Sequence, residues 1–141
     1  MTDTIDIPAK LNELGLGEGW TWDKGAWWLA AGEGFDIRAT AERLRDLDAR
    51  FAAITATEQS DGVIRIDYQW DLDGILLSFT ISSPDKRAVS IVDIVPGADW
   101  AERETHEYFA VEFAGRVTLE PLMLRKGDAP GIQLKKKEVA Q

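Results

Sequence analysis

Apolar positions at two different spacings divide this chain into elements. Ile7, Leu11 and Leu14 recur at helical spacing, Pro8 suits a first helical turn, and Gly15 is placed to stop it, so a short N-terminal helix is expected. From Asp36 to Arg50, Ile37, Ala41, Leu44, Leu47 and Phe51 recur every three or four residues while Arg43, Arg45, Asp46 and Asp48 point elsewhere, which predicts an amphipathic helix. Between the two helices, Thr21 to Ala31 is rich in aromatic residues, with Lys24-Gly25 as a bend, and Ala26 to Ala31 reads as a strand. Turn pairs at Asp61-Gly62, Asp73-Gly74 and Ser83-Pro84-Asp85 then cut the following stretch into a meander. In it Ile64, Ile66, Tyr68 and Trp70 alternate with Arg65, Asp67 and Gln69, and Ile75, Leu77, Phe79 and Ile81 share one face of the next strand. A further strand is expected over Ala88 to Val95, stopped by Pro96-Gly97.

Asp99-Trp100-Ala101-Glu102 has the form of a capping box, in which Asp99 would accept amide bonds at a helix start and Glu102 would return one. Beyond Phe109 the apolar residues fall in pieces too short for a long element, and from Arg125 the chain turns polar with glycine and proline breaks. The pattern predicts an α+β fold: a mostly antiparallel sheet of about four to five strands with two to three helices packed on it. It assigns 1–124 to a single domain and 125–141 to an extended basic C-terminal arm.

Composition narrows the chemistry. A chain of 141 residues is enough for one core. The longest apolar runs, such as Ala26 to Ala31, fall far short of the roughly 20 residues of a membrane span, so no direct span is expected. The acidic N-terminal residues lack the basic flank and apolar stretch of a signal peptide, which predicts a cytoplasmic protein. A formal charge of −9 opposes nucleic-acid binding, which needs a basic face to neutralise phosphates. The absence of cysteine excludes thiolate-ligated iron–sulfur clusters and structural zinc within the chain, and the single histidine, His106, excludes a two-histidine metal site. Asp67, Asp71 and Asp73 lack the spacing and distal glutamate of a calcium loop and read as turn residues. The glycines at 15, 17 and 19 form no dinucleotide fingerprint.

The stretch Pro96-Gly97-Ala98-Asp99-Trp100-Ala101-Glu102-Arg103-Glu104, followed by Glu107-Tyr108-Phe109-Ala110-Val111-Glu112-Phe113-Ala114-Gly115, resembles the 30 kDa subunit family of the NADH:quinone oxidoreductases. Shorter relatives of that family occur in energy-converting membrane-bound [NiFe] hydrogenases. The shared pattern is an aromatic residue, a spacer, Glu-Arg-Glu, an acidic residue, an aromatic and an apolar residue, then Phe-x-Gly. Ala110 stands where the family has glycine, Arg116-Val117 where it has His-Pro, Glu120-Pro121 where it has Arg-Arg, and Gln133-Leu134-Lys135-Lys136 where it has Pro-Leu-Arg-Lys. These departures and the short sequence place it nearer the hydrogenase form, similar to the short 30 kDa-type subunit of an Ech-type complex.

The resemblance implies a cofactor-free, non-catalytic subunit on the cytoplasmic face of the cell membrane, peripheral and part of a hetero-oligomer. Its implied partners are a [NiFe]-type large subunit and a small iron–sulfur subunit, which carry the [NiFe] centre and the iron–sulfur clusters of a ferredoxin-linked reaction. The 30 kDa subunit of a respiratory NADH:quinone oxidoreductase is the alternative within the family. The interface candidates are Trp100, Glu102, Arg103, Glu104, Glu107, Tyr108, Phe109, Trp27, Trp28, Lys135 and Lys136.

Plainer readings stand beside these. Glu102, Arg103 and Glu104 on their own are a solvated helix start suited to the positive end of the dipole. Arg103 is positioned to form a bidentate pair with a carboxylate. His106 lies one turn after Glu102 and reads as a local ion pair or a surface histidine. Trp70 and Trp100 read as core aromatics, whereas Trp27 and Trp28 cannot both point inward from a one-sided strand. From other classes, a small-molecule or carbohydrate binding module would use the tryptophans as a groove. An acid–base enzyme would need a pocket around Glu102, Glu104 or His106.

Overall fold

The computed structural model describes residues 5–32, 35–116, 122–125 and 128–134. Helix α1, Ile7–Glu13, starts at Asp6, whose carboxylate accepts the Ala9 amide, and carries Pro8 in its first turn. It ends as the sequence predicts: Gly15 takes a φ of +79°, its amide bonds Asn12 O, and the Leu16 amide reaches back to Leu11 O. Helix α2, Ile37–Asp46, begins at Asp36 in the same way and buries Ile37, Thr40, Ala41 and Leu44. It is closed by Asp48 at φ +61°, with amide bonds from Asp48 to Arg45 O and from Ala49 to Leu44 O. The chain therefore leaves the helix earlier than the periodicity suggests, and Phe51 lies in a strand.

The strands are β1 (Thr21–Asp23), β2 (Ala26–Ala30), β3 (Arg50–Glu58), β4 (Ile64–Leu72) and β5 (Ile75–Ser83), arranged β1-β2-β5-β4-β3. Both two-residue turns, Lys24-Gly25 and Asp73-Gly74, have positive φ at each position, the geometry that matches the twist of a hairpin. The sheet is mostly antiparallel with one parallel pair, β2 on β5, in which Trp27 lies beside Leu77 and Leu29 beside Phe79.

One face of the sheet is apolar. Ile64, Ile66, Tyr68, Trp70 and Leu72 of β4, Leu77 and Phe79 of β5, Leu29 of β2 and Ile54 of β3 are buried with Leu11 of α1 and Ile37, Ala41 and Leu44 of α2. Phe79 is the centre of this layer: Trp20 meets it edge-on at 5.0 Å and Trp70 at 5.8 Å. Each buried aromatic or aliphatic side chain here contributes about 1.5–3 kcal/mol of transfer free energy. The other face carries Arg65, Asp67, Gln69 and Asp71 of β4, opposite Thr57, Thr55 and Ala53 of β3 and Ser82, Thr80, Ser78 and Leu76 of β5.

The expected strand over Ala88 to Val95 is shorter. Only Arg87–Val89 (β6) is extended, and it pairs in parallel with β7 (Glu112–Ala114) in a separate two-stranded sheet. From Ser90 the chain turns, so that Ile91 and Ile94 plug the core while Asp93 is held by Arg38 of α2 through two bonds of 2.7 Å. That contact holds the Asp93 carboxyl down to about 2, chiefly by the Arg38 hydrogen bond. A 3-10 turn, Pro96–Ala98, leads into α3, Asp99–Phe109, which packs against β3.

Candidate interaction surface

Helix α3 carries most of the residues singled out by the sequence, and its start is not a capping box. Ala98 occupies the cap without a side-chain bond, and Asp99 is already helical. The Asp99 carboxylate is bound by Arg116 Nη2, and Arg103 Nη1 lies 3.4 Å from its other oxygen. The Arg116 guanidinium, then burial acting in the opposite sense, leaves the Asp99 carboxyl below the usual carboxylate range.

Glu102 is wholly buried and does not return a bond to the cap. Its carboxylate accepts the Ser90 hydroxyl at 2.7 Å, the Ile91 amide at 2.8 Å and Arg116 Nη1 at 3.2 Å. A residue that reads as solvated thus ties three segments together: α3, the turn after β6 and the loop that follows β7. The cause is a charge-assisted network in which every oxygen has a donor, the condition under which a carboxylate can be buried. The Tyr68 phenol is buried nearby with no hydrogen-bond partner among the described residues; burial first, and then the Glu102 charge, push its proton affinity well above the ordinary phenol value. Arg116, which supplies the cation, is not among the sequence candidates. Its only sequence signal is its position directly after Phe113-Ala114-Gly115.

His106 does not pair with Glu102. Its Nδ1 lies 2.9 Å from the Val111 carbonyl and 3.9 Å from Glu112 Oε1, so it joins the helix end to β7. Glu107 is buried too, and its carboxylate accepts the amides of Leu122, Met123 and Leu124 at 2.6–3.2 Å. Burial raises the Glu107 carboxyl, and the amides of Met123, Leu122 and Leu124 together more than reverse this, so it titrates below the usual range. The helix closes at Ala110, whose φ is +59° and whose amide bonds His106 O; this is the position where the resemblance has glycine.

The outside of α3 differs. Trp100 is 62% exposed, which corrects its reading as a core residue, while Trp70 is buried as expected. The Arg103 guanidinium lies 6.0 Å from the Trp100 ring centre. Trp100, Ala101 and Glu104 face Phe51 to Ile54 of the edge strand β3 across an open groove of about 350 Å³. Tyr108 and Phe109 are half-buried at the other end of the helix.

Trp27 and Trp28 point to opposite faces, as strand geometry demands. Trp27 packs at the edge of the core, 5.3 Å from the exposed Trp22, whereas Trp28 lies on the polar face, donates to Asp23 O and is covered by Arg65 at 5.6 Å. Trp28 and Arg65 line a second open groove of about 430 Å³ with Lys24 and Thr80. Lys135 and Lys136 lie outside the described residues. Among the described residues no group of three histidine, cysteine or acidic side chains gathers in metal-binding geometry, and no helix is long and apolar enough to cross a membrane.

This arrangement defines an α+β domain in which Glu102 and Glu107 are consumed in fixing the chain's own loops, while Trp100 and Trp22 are left outside. Residues 33–140 match the family described as the respiratory-chain NADH dehydrogenase, 30 Kd subunit, and the protein belongs to that family. Among solved structures, a component of the membrane-bound sulfane sulfur reductase, an archaeal respiratory membrane complex, superposes with a TM-score of 0.70 at 21% identity, covering 86% of this sequence and 77% of the other. A trypsin-resistant fragment (1–134) of Nqo5 superposes with a TM-score of 0.62 at 18% identity, covering 84% of this sequence and all of the fragment. No curated protein matches the sequence.

Proposed function

We propose that this protein is a non-catalytic, peripheral subunit of a complex-I-related membrane-bound oxidoreductase, in its [NiFe] hydrogenase form, holding the large [NiFe] subunit and the small iron–sulfur subunit on the cytoplasmic face. The observation that carries this reading is the division of labour on α3. Glu102 and Glu107 are turned inward and bound by Ser90, Ile91, Arg116 and the amides of 122–124, while Trp100 is turned outward. Carboxylates engaged in this way have their oxygens occupied by donors of the chain itself, and a large exposed aromatic beside a groove is the kind of side chain that anchors protein interfaces. Family membership supports an assembly of this kind, and the cysteine-free sequence supports the reading that redox clusters belong to other subunits. The family's description favours a second reading, the corresponding subunit of an NADH:quinone oxidoreductase.

Recovery of the tagged protein from detergent-solubilised native membranes tests both. Nickel and iron in the eluate with hydrogen-dependent reduction of a viologen dye supports the hydrogenase form. NADH-dependent quinone reduction without nickel replaces it with the second reading. A protein recovered alone, without either metal, refutes the subunit role.

A further inference from the structure

The two edges of the five-stranded sheet are built differently. β1 is three residues long and offers almost no ladder, which is one way a sheet avoids pairing with another protein. β3 is nine residues long and pairs on one side only, with β4. In an antiparallel ladder every second residue turns its N–H and C=O away from the neighbouring strand, so β3 presents a row of donors and acceptors along its outer side. Among the described residues no hydrogen bond reaches the outward groups of 51–57. Those seven residues, Phe51-Ala52-Ala53-Ile54-Thr55-Ala56-Thr57, carry no charge and no proline, the usual means by which an exposed edge is kept from pairing. A bulge interrupts the ladder between Phe51 and Ala53, near the start of the strand, and from Ala53 to Glu58 the register with β4 is unbroken.

The neighbours of this edge identify what fits it. The groove of about 350 Å³ along 51–54 is lined on the helix side by Gly97, Trp100, Ala101 and Glu104. Trp100 supplies a large exposed apolar surface, and Glu104 is the one charged residue of the lining, with no ion-pair partner among the described residues. We propose that the outer edge of β3 takes an extended segment of another protein subunit as a sixth strand, with an apolar side chain of that segment on Trp100 and a lysine or arginine against Glu104. The free backbone groups select a strand over a helix, because a helix satisfies its own amides and carbonyls internally. The unpaired carboxylate selects a cation. A second copy of this protein is the poorer occupant: edge-to-edge pairing of two copies is two-fold symmetric, so it sets Glu104 against a groove lined by no cation and joins two proteins each at −9. The added strand rests on the subunit reading above and names the edge through which the subunit is held.

The test compares amide hydrogen exchange of the tagged protein alone with that of the complex recovered from native membranes, and adds the variant Glu104→Lys and a photo-crosslinking benzoylphenylalanine at position 100. Recovery of the wild-type protein alone overturns the subunit reading and this proposal together. With the wild-type complex recovered, roughly every second amide of 51–57 is expected to exchange freely in the isolated protein and to slow by on the order of a hundredfold in the complex. Glu104→Lys is expected to lower recovery of partner subunits roughly tenfold or more at unchanged circular dichroism and thermal midpoint. The crosslink is expected in a segment of one protein that alternates apolar and polar residues and carries a lysine or arginine. Exchange over 51–57 as fast in the complex as in the isolated protein, or full recovery of the complex with Glu104→Lys, overturns the added strand and leaves the subunit reading standing. So does an isolated protein that sediments as a dimer with the same amides already slowed, because the occupant is then a second copy.

Discussion

Replacing Glu102 by alanine tests whether the network around it is structural. The substitution strands two donors, the Ser90 hydroxyl and the Ile91 amide, and leaves Arg116, whose side chain is 10% exposed, with Asp99 as its remaining partner. Breaking a buried ion pair by removing one partner costs about 3–5 kcal/mol when the remaining charge is left uncompensated, and because Arg116 keeps Asp99 the lower end, about 3 kcal/mol, is expected here. A domain of this kind has about 5–15 kcal/mol in total, so Glu102→Ala is expected to remove roughly a fifth or more of it. The same change at a solvated helix start would move stability by about 0.5 kcal/mol. Urea unfolding followed by tryptophan fluorescence separates these values, and the thermal midpoint is expected to fall by on the order of 10 °C. Glu102→Gln keeps the shape and an acceptor for Ile91 but loses the charge opposite Arg116, and a smaller loss of about 1–2 kcal/mol is expected. A double-mutant cycle of Glu102→Ala with Arg116→Ala should give a coupling above about 1 kcal/mol, since the pair is in contact. A Glu102→Ala loss below about 1 kcal/mol, with no coupling to Arg116, would refute the assignment of this carboxylate to the core.

Ala110→Gly relieves a left-handed conformation that costs an L-residue about 1–2 kcal/mol, less the greater unfolded-state freedom of glycine, and a net gain of about 0.5 kcal/mol is expected in the same unfolding assay. Trp100→Ala, at an exposed position, should leave unfolding within about 0.5 kcal/mol of wild type while lowering recovery of partner subunits; a large destabilisation would place Trp100 in the fold instead. Asp93, Asp99 and Glu107 all have carboxyls held below their unfolded values. Their stabilisation is present in full above about pH 4 and is lost as pH falls through the depressed values, down to about 2 for Asp93. Acid unfolding should therefore fall in that window, and Arg38→Met should shift it upward by freeing Asp93; an unchanged acid midpoint in Arg38→Met removes that pair from the balance.

Local chemistry is legible in the sequence where it acts over a few residues. Gly15 stops α1, Asp73-Gly74 makes the tight hairpin, and the alternation along β4 predicts which side chains are buried, because each depends on φ preferences or on a two-residue period. The periodicity misplaces the end of α2, since Leu44, Leu47 and Phe51 satisfy helical spacing, and only the left-handed Asp48 shows that the backbone has already turned. Ala88 to Val95 reads as a strand by its apolar run, yet the run serves to drop Ile91 and Ile94 into the core beside the Arg38–Asp93 pair. The parallel pairing of β2 with β5 joins residues about fifty positions apart, and nothing in either strand states it. The site is half legible: the resemblance marks Glu102 and Glu107, but the partners that bury them, Arg116, Ser90 and the amides of 122–124, lie in loops whose positions only the tertiary structure sets.

The two inward carboxylates of α3 impose an order on folding. As the polypeptide emerges from the ribosome, the five strands can pair before residue 116 exists, but Glu102 then has no guanidinium, and until residues 122–124 appear Glu107 has no amides to meet it. A nascent or truncated polypeptide that stops between these points must either leave the helix undocked or bury bare charge. A copy cut short between these points is expected to be digested more readily than the finished one, because an undocked helix exposes its backbone.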